Sequence, residues 1–432
     1  MAEGTDKRTI QPAKRLKGEI TLPGDKSISH RAIILGSIAK GTTHITNLLS
    51  GEDCQATQNA FSAMGVGIRA DGNSLLIEGD GPTALKSPKK NLFLGNSGTT
   101  MRLISGILSA QPFETVLEGD PSLSARPMKR IIEPLRLMGA DVTALSEGNR
   151  PPLKIKGAHL KSIDYTMNIP SAQVKSAILL AGLYARGMTK VTEPLKSRDH
   201  TERIFGQFGV KVIVDDLTAA IEGGQVPKAK EVFIPGDISS AAFFIVAALL
   251  IKGSHIKIKD VGCNPTRTGF IDALKSIGAR IKIKEKRSDF EPLCDMEVEG
   301  CRLEGDLTIE GDLLVRSIDE MPILMVAASL NKGKTIIKGA GELRVKETDR
   351  ISSMAENLKC MGADLKVDGD DIIIKGVESL TSARLKSFGD HRTAMAMTIA
   401  ALTAKDESIL FDTACINTSF PQFSHILTSI ST

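Results

Sequence analysis

A helix-forming segment rich in apolar and small residues recurs six times along the chain, at intervals of about 70 residues. The copies lie at residues 27–39, 99–110, 173–185, 239–251, 321–330 and 392–404. After most copies come a small turn, a β-rich run and a second helix that ends at a glycine, the residue that a left-handed helix stop favours. The pattern predicts an α/β chain built from a small βαβαββ-like unit that is repeated three times in each half.

The repeat also predicts where one domain gives way to the other. At 432 residues, the chain is longer than a single hydrophobic core usually supports, which favours two domains. The tripeptide Pro-Gly-Asp stands at 23–25 and again at 235–237, each time directly before a first helix. We therefore predict a continuous domain of residues 24–235 and a discontinuous domain of residues 1–23 plus 236–432. Two adjacent crossings between domains would form a hinge.

Composition narrows the class of partners. The chain is 41% hydrophobic and 25% charged with a net charge of +4, as in ordinary globular proteins, and its sequence contains no nucleic-acid motif. The basic segment 7–17 is interpreted as a solvated tail, with a nucleic-acid-binding arm as the alternative. No apolar leader opens the chain, and the longest apolar run, 241–251, is too short to cross a bilayer. We therefore expect a cytoplasmic protein without membrane or nucleic-acid partners.

The loops before the six first helices are built from small polar residues. Their sequences are GDKS at 24–27, GNSGT at 95–99, PSAQ at 170–173, GDIS at 236–239, SIDE at 317–320 and GDHR at 389–392. Small residues let backbone N–H groups approach a ligand, and the first N–H groups of a helix lie at the positive end of its dipole. One such loop is more often a simple cap, with Ser27 the predicted cap of the first helix. Six together favour an anion-binding surface.

Cations gather in and near these loops. They are Lys26, Arg31, Arg102, Arg126, Lys175, Arg198, Lys346, Arg350 and Arg392. The planar fork of arginine suits carboxylates and phosphates, and lysine acts as a mobile point charge, so small and strongly anionic substrates are predicted. Two acids, Asp319 and Glu347, stand among the cations. They are either ion-pair partners or a general base and acid, and the residues alone leave both interpretations open.

Several other chemistries lack their sequence signatures. There is no G-x-x-x-x-G-K-[ST], no G-x-G-x-x-G after a strand and no G-x-S-x-G, which argues against nucleotide, dinucleotide and acyl-enzyme sites. The histidines are scattered without metal-ligand spacing, and the six cysteines form no C-x-x-C pair. No metal and no cofactor is therefore expected.

Six motifs together resemble the signatures of one family. They are LPGDKSISHR at 22–31, GNSGTTMR at 95–102, SAQ at 171–173, RVKETDR at 344–350, DHR at 390–392 and SFP at 419–421. In this order they resemble the 5-enolpyruvylshikimate-3-phosphate synthases, from about residue 16 to the C-terminus. The resemblance implies two inside-out α/β domains, each a threefold repeat, joined by a two-crossing hinge, with the active site in the cleft between them. A monomer is expected.

The resemblance also implies the reaction and its residues. The enolpyruvyl (carboxyvinyl) group of phosphoenolpyruvate would pass to the 5-hydroxyl of shikimate 3-phosphate with release of phosphate, in the shikimate pathway of aromatic amino-acid biosynthesis. Shikimate 3-phosphate would contact Lys26, Ser27, Arg31, Ser171, Ala172, Gln173, Arg198, Asp319 and Lys346. Phosphoenolpyruvate would contact Lys26, Asn96, Gly98, Arg126, Gln173, Arg350 and Arg392. Asp319 would accept the hydroxyl proton, Glu347 would protonate the methylene carbon, and Lys26 would protonate a substrate oxygen.

The chain departs from the common subgroup of this family at Arg102-Leu103, Ser171-Ala172 and Thr418, which resembles a second, often glyphosate-tolerant subgroup. Gly98 stands where tolerant members often carry alanine, so a glyphosate-sensitive enzyme is predicted. One alternative is the enolpyruvyl transferase that acts on UDP-N-acetylglucosamine, which typically uses a mobile-loop cysteine, but residues 118–127 contain none. The other alternative is a non-catalytic phosphometabolite-binding protein on the same fold.

Overall fold

The computed structural model describes residues 6–72, 74–286 and 290–431. These residues form two compact units. Unit 1 comprises the described parts of 1–23, 235–288 and 292–432, and unit 2 comprises the described parts of 24–234 and 289–291. Residues 1–5, 73, 287–289 and 432 fall within the predicted domain bounds but lie outside the described part of the chain.

Two details of this division differ from the predicted domain bounds. Pro235 belongs to unit 1, whereas the prediction places it in the continuous domain. Phe290 and Glu291 belong to unit 2, whereas the prediction places them in the discontinuous domain. The physical reason is a buried contact, because Glu291 is only 1% exposed and its Oε1 lies 2.6 Å from Nδ1 of His200.

Helices alternate with short strands in both units. The helices of unit 2 are α1 (Lys26–Ile38), α2 (Glu52–Ala63), α3 (Gly98–Leu108), α4 (Pro121–Ser124), α5 (Lys129–Leu137), α6 (Ala172–Gly182) and α7 (His200–Gln207). Those of unit 1 are α8 (Ile238–Leu250), α9 (Gly269–Ser276), α10 (Gly311–Ser317), α11 (Met321–Leu330), α12 (Arg350–Cys360), α13 (His391–Leu402) and α14 (Phe423–Ile430). Two 3₁₀ helices, Ala340–Val345 and Thr413–Thr418, also lie in unit 1. The six predicted first helices are confirmed as α1, α3, α6, α8, α11 and α13.

The strands of the described residues are short and form six small sheets. They are β1 (Lys7–Ile10), β2 (Lys17–Thr21), β3 (Lys40–Thr46), β4 (Gly67–Asp71), β5 (Ser74–Asp80), β6 (Leu92–Phe93), β7 (Glu114–Glu118), β8 (Asp141–Ser146), β9 (Arg150–Lys156), β10 (Asp164–Thr166), β11 (Met188–Thr192), β12 (Val212–Asp215), β13 (Thr218–Glu222), β14 (Glu231–Phe233), β15 (His255–Gly262), β16 (Arg280–Lys286), β17 (Leu293–Glu299), β18 (Leu307–Ile309), β19 (Lys334–Ile337), β20 (Asp364–Asp368), β21 (Asp371–Lys375), β22 (Arg384–Lys386) and β23 (Ser408–Phe411).

Unit 2 contains three four-stranded sheets of one design. Their strand orders are β14-β3-β5-β4, β6-β7-β9-β8 and β10-β11-β13-β12. In the last of these, β10 pairs in parallel with β11 across helix α6, and the antiparallel strands β13 and β12 follow α7. This order of elements is the predicted βαβαββ unit, because a parallel pair needs a crossover helix and an antiparallel pair needs only a turn.

Unit 1 repeats the design with one shortened copy. Its sheets have the orders β16-β17-β15-β2, β18-β19-β21-β20 and β1-β23-β22. The third sheet has three strands, and within the described residues no hairpin follows α14, as the truncated sixth copy predicts.

The basic N-terminal segment forms a strand, so the interpretation of residues 7–17 as a solvated tail is wrong. β1 pairs antiparallel with β23, with Lys7 opposite Phe411 and Ile10 opposite Ser408. Ile10 is buried, and the charged residues before it remain exposed. The segment therefore covers a sheet edge that the shortened copy leaves without its own hairpin.

Two strands stand where the chain passes from one unit to the other. Each pairs within its own unit, whereas the helix that follows it belongs to the other unit. β2 leads into α1 of unit 2, but it pairs in parallel with β15 of unit 1. β14 leads into α8 of unit 1, but it pairs in parallel with β3 of unit 2. Each unit thus completes its first sheet with a strand from a distant part of the chain.

The first helices are buried around their whole circumference. In α8, every residue from Ile238 to Leu249 is buried, which is the pattern of a helix enclosed by its unit. No helix among the described residues is long and apolar enough to span a bilayer. Close approach of the helices depends on small residues, because a Cβ added at Gly106 of α3 would lie 2.2 Å from the backbone oxygen of Ala177 in α6.

Gly106→Ala is therefore expected to destabilise the protein by about 1–3 kcal/mol, since the obstructing atom is backbone and the helices must move apart. Urea denaturation of the variant and the parent measures the change. Gly206→Ala is the matched control: it also lies in a helix, and its added Cβ would meet nothing within 4 Å. Equal midpoints for Gly106→Ala and the parent would contradict the packing argument.

Candidate active site

The three first helices of unit 2 begin with side-chain caps, as their small polar loops predict. The caps are Asp25 for α1, Ser97 for α3 and Ser171 for α6, and each accepts a hydrogen bond from a backbone N–H of the first turn. The prediction of Ser27 as the first cap is wrong. The helix begins at Lys26, two residues before the start that a cap at Ser27 implies, because the carboxylate of Asp25 takes the capping role and leaves Ser27 in the first turn.

Arg31 connects α1 to α6 and α7. Its Nε donates to Thr201 Oγ1 at 2.6 Å, its Nη2 donates to Ser176 Oγ at 2.8 Å, and its Nη1 donates to the backbone oxygen of Ser27 at 2.9 Å. Burial lowers the pKa of Arg31 to about 10; the carboxylates of Glu202 and Asp25 oppose this effect, and the charge of Arg198 adds a smaller lowering. The guanidinium therefore stays positive at neutral pH, and Arg198 lies close enough to act on it.

The neighbouring residues of α1 differ in charge state. Lys26 Nζ lies 3.0 Å from Asp53 Oδ2, and both side chains are slightly exposed. Burial, followed by the charges of Lys26 and Arg31, lowers the pKa of His30 to about 3. The His30 ring is consequently neutral at physiological pH, so the positive charge on this turn comes from Lys26 and Arg31 alone.

A second cluster of polar side chains joins the starts of α3 and α6. Arg102 Nη1 donates to Gln173 Oε1 at 2.6 Å, and Gln173 Nε2 donates to Thr99 Oγ1 at 2.9 Å. Beside it, Arg126 Nη2 donates to the side-chain oxygen of Asn96. The structure thus joins Asn96 to Arg126 and places Gln173 against the loop that carries Gly98, all of which are residues of the predicted phosphoenolpyruvate set.

Lys175 belongs to a buried charge cluster that the sequence does not reveal. Its Nζ lies 2.7 Å from Glu193 Oε2 and 2.7 Å from Glu202 Oε1, and it is 2% exposed. Burial lowers its pKa, but the two carboxylates outweigh burial, so the pKa of Lys175 is raised. Glu193 also accepts a hydrogen bond from Ser197 Oγ. The cluster therefore fixes the residue directly before Arg198.

The candidate residues of unit 1 surround Asp319. Its carboxylate oxygens lie 3.3 Å from Lys346 Nζ, 3.7 Å from Arg350 Nη1 and 3.8 Å from Arg392 Nη2. Arg392 Nη1 also donates to the backbone oxygen of Asp319 at 2.9 Å. Four of the predicted site residues thus form one cluster, with three cations around one carboxylate.

Arg350 links this cluster to Glu347 and is held from the opposite side by Asp390. Its Nη2 donates to Glu347 Oε2 at 2.6 Å, and its Nε donates to Asp390 Oδ2 at 2.8 Å. Burial lowers the pKa of Arg350, but the carboxylates of Asp390, Glu347 and Asp319 outweigh burial and raise it. Its buried Nη1 donates no hydrogen bond within the described residues, so one donor of the fork remains for an anion.

Two further acids of unit 1 support the predicted residues and were missed by sequence reasoning. Asp390 is fully buried, caps α13 and accepts from Arg350. Glu320 is 1% exposed, accepts a hydrogen bond from Ser239 Oγ and lies 3.7 Å from Arg392 Nη1. Both stand in the loops that the sequence singles out, directly beside predicted residues, but residue type alone does not disclose their burial.

Both units therefore carry clusters of cations at helix starts, and unit 1 adds carboxylates that can exchange protons. Such clusters bind small anions bidentately and can stabilise negative charge as it develops. The described residues contain no group of three or more His, Cys, Asp or Glu side chains placed to hold a metal ion.

Comparison with known proteins identifies the family. EPSP synthase (3-phosphoshikimate 1-carboxyvinyltransferase) is the family that matches residues 10–427. A 3-phosphoshikimate 1-carboxyvinyltransferase of Geotalea daltonii is 52% identical over 424 residues, which is 98% of this chain and 99% of that one. The corresponding protein of Geobacter metallireducens is 49% identical over 424 residues, again 98% and 99% of the two chains. An EPSP synthase structure from Acinetobacter baumannii superposes with a TM-score of 0.88 at 44% identity and covers 99% of this chain and 98% of that chain.

The fold and these matches define an enzyme that transfers a carboxyvinyl group. More closely, the chain belongs to the EPSP synthase family, over almost its whole length. The predictions of the family, of the α/β fold class and of shikimate-pathway enolpyruvyl transfer are confirmed.

Proposed function

We propose that the clusters of both units act on one pair of substrates, shikimate 3-phosphate and phosphoenolpyruvate. The observation that carries the proposal is Asp319, a carboxylate placed among three cations at the start of a buried helix. In a ligand-free site the carboxylates offset the cations. When two strongly anionic substrates enter, the cations turn to them, and Asp319 can accept a proton.

The residues of unit 2 are proposed to hold shikimate 3-phosphate. Lys26, Ser27 and Arg31 lie on the first turns of α1, and Ser171, Ala172 and Gln173 lie at the start of α6. Arg31 is rigidly placed by its bonds to α6 and α7, and Arg198 acts on the same region. A phosphate there would meet two guanidiniums and two helix N-termini, the arrangement that favours phosphate binding. Asp319 and Lys346 would add contacts from unit 1.

Phosphoenolpyruvate is proposed to bind Asn96, Gly98, Arg126 and Gln173, together with Lys26, Arg350 and Arg392. These residues offer one neutral loop and several cations to a substrate that carries both a carboxylate and a phosphate. Nη1 of Arg350, which donates no hydrogen bond within the described residues, supports a contact with one of these groups.

The proposed reaction has two steps. In the first, the 5-hydroxyl oxygen bonds to C2 of phosphoenolpyruvate, Asp319 takes the hydroxyl proton, and Glu347 gives a proton to C3, which becomes a methyl group. In the second, the tetrahedral intermediate loses phosphate from C2 while C3 gives up a proton, which restores the vinyl group. Lys26 is proposed to protonate a substrate oxygen during these steps. The cations stabilise the charge on the departing phosphate.

Release of phosphate from phosphoenolpyruvate tests the proposal when each acceptor is supplied separately. We expect release with shikimate 3-phosphate and none with UDP-N-acetylglucosamine or without an acceptor. Release with UDP-N-acetylglucosamine alone, or with no acceptor at all, would reject the proposed substrate pair.

Gly98→Ala tests the proposed phosphoenolpyruvate loop. Its added Cβ would lie 3.0 Å from Arg102 Nη1 and 3.1 Å from Arg126 Nη1, so both guanidiniums must shift by a few tenths of an ångström. Glyphosate is slightly longer than phosphoenolpyruvate, so we expect the parent to be sensitive and the variant to lose about 1–3 kcal/mol of glyphosate affinity. The loss for phosphoenolpyruvate should be smaller. Inhibition curves for glyphosate measure this difference between the parent and Gly98→Ala. A glyphosate-tolerant parent would refute steric selection at Gly98.

We propose further that the enzyme works as a monomer in the cytoplasm. A monomer corresponds to a mass of 46.2 kDa in light scattering coupled to size-exclusion chromatography. A single peak at twice this mass would show a dimer instead.

A further inference from the structure

We propose that unit 1 carries a second binding site, for a small amphipathic dianion, at the C-terminal ends of its three first helices. A cavity of about 1050 Å³ lies where α8, α11 and α13 end, and its lining includes Leu250, Leu330 and Leu402. Asp319 and Arg392 of the candidate active site stand at the opposite ends of α11 and α13. The helices have 13, 10 and 12 residues. At about 1.5 Å per residue, the two sites are ~15–20 Å apart.

The charge of the lining is strongly one-sided. Five cations line the cavity, and they are Lys14, Lys252, Arg280, Arg302 and Lys332. The lining contains one carboxylate, Glu378, and a second, Glu304, lies 2.9 Å from Lys332 outside it. Within the described residues, the other four cations form no ion pair.

The helix ends do not account for these cations. Each helix C-terminus carries roughly half a negative charge, so three of them offset only about one and a half of the positive charges. None of the three helices has a basic residue in its last turn. The cations stand on other segments of the chain, and a positive surplus remains at the cavity.

Backbone groups already cap the three helices. Cys301 N donates to the backbone oxygen of Leu249 at 3.0 Å, Val377 N to that of Ser329 at 2.8 Å, and Ala13 N to that of Leu402 at 3.0 Å. The terminal carbonyl groups therefore need no lysine or arginine as a hydrogen-bonding cap. The same arrangement recurs at all three helices, which makes the cavity a regular feature of the repeat rather than a surface irregularity.

The walls between the cations are apolar. Leu250, Leu330 and Val377 are half-buried and line the cavity, together with the buried Ile251 and Leu303. A ligand that matches both parts has an apolar ring or short chain and carries a phosphate or two carboxylates. Apolar contact supplies affinity, and the cations around it select for negative charge.

Cys301 provides a direct test because it lines the cavity and is a half-exposed free thiol. Phenyl phosphate serves as the probe, and alkylation by neutral iodoacetamide is followed at each cysteine by mass spectrometry. At ten times its Kd, phenyl phosphate should slow alkylation of Cys301 by about tenfold. Phenol and inorganic phosphate, which each carry half of the required chemistry, should protect less. The exposed thiol of Cys360, which is not on the lining, is the internal control.

Charge removal completes the test. The double variant R280S/R302S should lose most of the protection by phenyl phosphate, whereas Lys282→Ser, which removes an exposed lysine of unit 1 outside the cavity, should keep it. Both variants should retain the turnover of the parent, so a failure here is distinct from a failure of the proposed reaction. Equal alkylation rates of Cys301 with and without phenyl phosphate, equal slowing at Cys360, or undiminished protection in R280S/R302S would each overturn the proposal.

Discussion

Asp319→Asn is expected to lower kcat by about 10²–10⁴-fold, the loss that follows removal of a positioned general base. The change keeps the size of the side chain but removes its capacity to take the 5-hydroxyl proton. It also removes the negative charge that Lys346, Arg350 and Arg392 surround. These cations then have one competitor fewer, so the KM for phosphoenolpyruvate should stay constant or fall. A purely structural ion pair would not produce this combination of a large fall in kcat without a rise in KM.

Steady-state kinetics in both substrates measures the two parameters, and circular dichroism checks the fold. Asp312→Asn is the matched control, because Asp312 is exposed and pairs with Arg316 at 2.7 Å in the same unit. It should leave kcat within a factor of about two, since exposed ion pairs contribute little. Near-parental turnover of a folded Asp319→Asn protein would show that another group takes the proton.

Lys175→Met is expected to destabilise the protein by about 3–5 kcal/mol, because it leaves two buried carboxylates without their cation. Methionine fills a similar volume, so the loss reflects charge more than packing. Glu193 and Glu202 are 3% and 9% exposed, and water cannot replace the ammonium group fully. The raised pKa of Lys175 means that its stabilising effect is present throughout the neutral range and is lost only as pH rises above its ordinary value of 10.5.

Urea denaturation at neutral pH measures the loss in Lys175→Met. Lys154→Met is the control, because it breaks an exposed pair with Glu114 at 3.1 Å and should change stability by no more than about 1 kcal/mol. Because Glu193 holds the residue before Arg198, the folded fraction of Lys175→Met should also show a raised KM for shikimate 3-phosphate. A variant as stable as the parent would mean that the carboxylates find other partners.

The sequence predicts the repeat well because the signals are local. Side-chain caps begin five of the six first helices, and α11 is the exception. The glycines that end the second helices, such as Gly65 and Gly362, have the positive φ that favours this residue. The predicted residues around Asp319 also lie together. Asp319 and Arg392 stand at the starts of two first helices, and Lys346 and Arg350 stand at the start of the second helix α12. Local pattern and repeat symmetry together suffice for these features.

What sequence reasoning missed depends on distant contacts. The pairing of Lys7 with Phe411 joins the two ends of the chain, and no local pattern specifies the register of such a pair. The burial of Glu320, Asp390 and Glu193 is equally hidden, because an acidic residue is exposed in most proteins and only its neighbours in space reveal the exception. The cap at Asp25 in place of Ser27 reflects two oxygen acceptors that stand two residues apart in the sequence, either of which fits the preference for a cap.

Because β2 pairs with a strand far along the chain, the two units can complete their sheets at different times during synthesis on the ribosome. All four strands of each sheet in unit 2 lie between residues 40 and 233, so this unit can complete its sheets as soon as β14 has emerged. β2 cannot pair at that stage, because its partner β15 begins roughly 230 residues later in the chain. At about 5–20 residues per second, β2 waits ~10–50 s as an unpaired strand. Its exposed residues, Lys17 and Glu19 among them, keep this waiting segment charged, and charge disfavours pairing with the wrong edge.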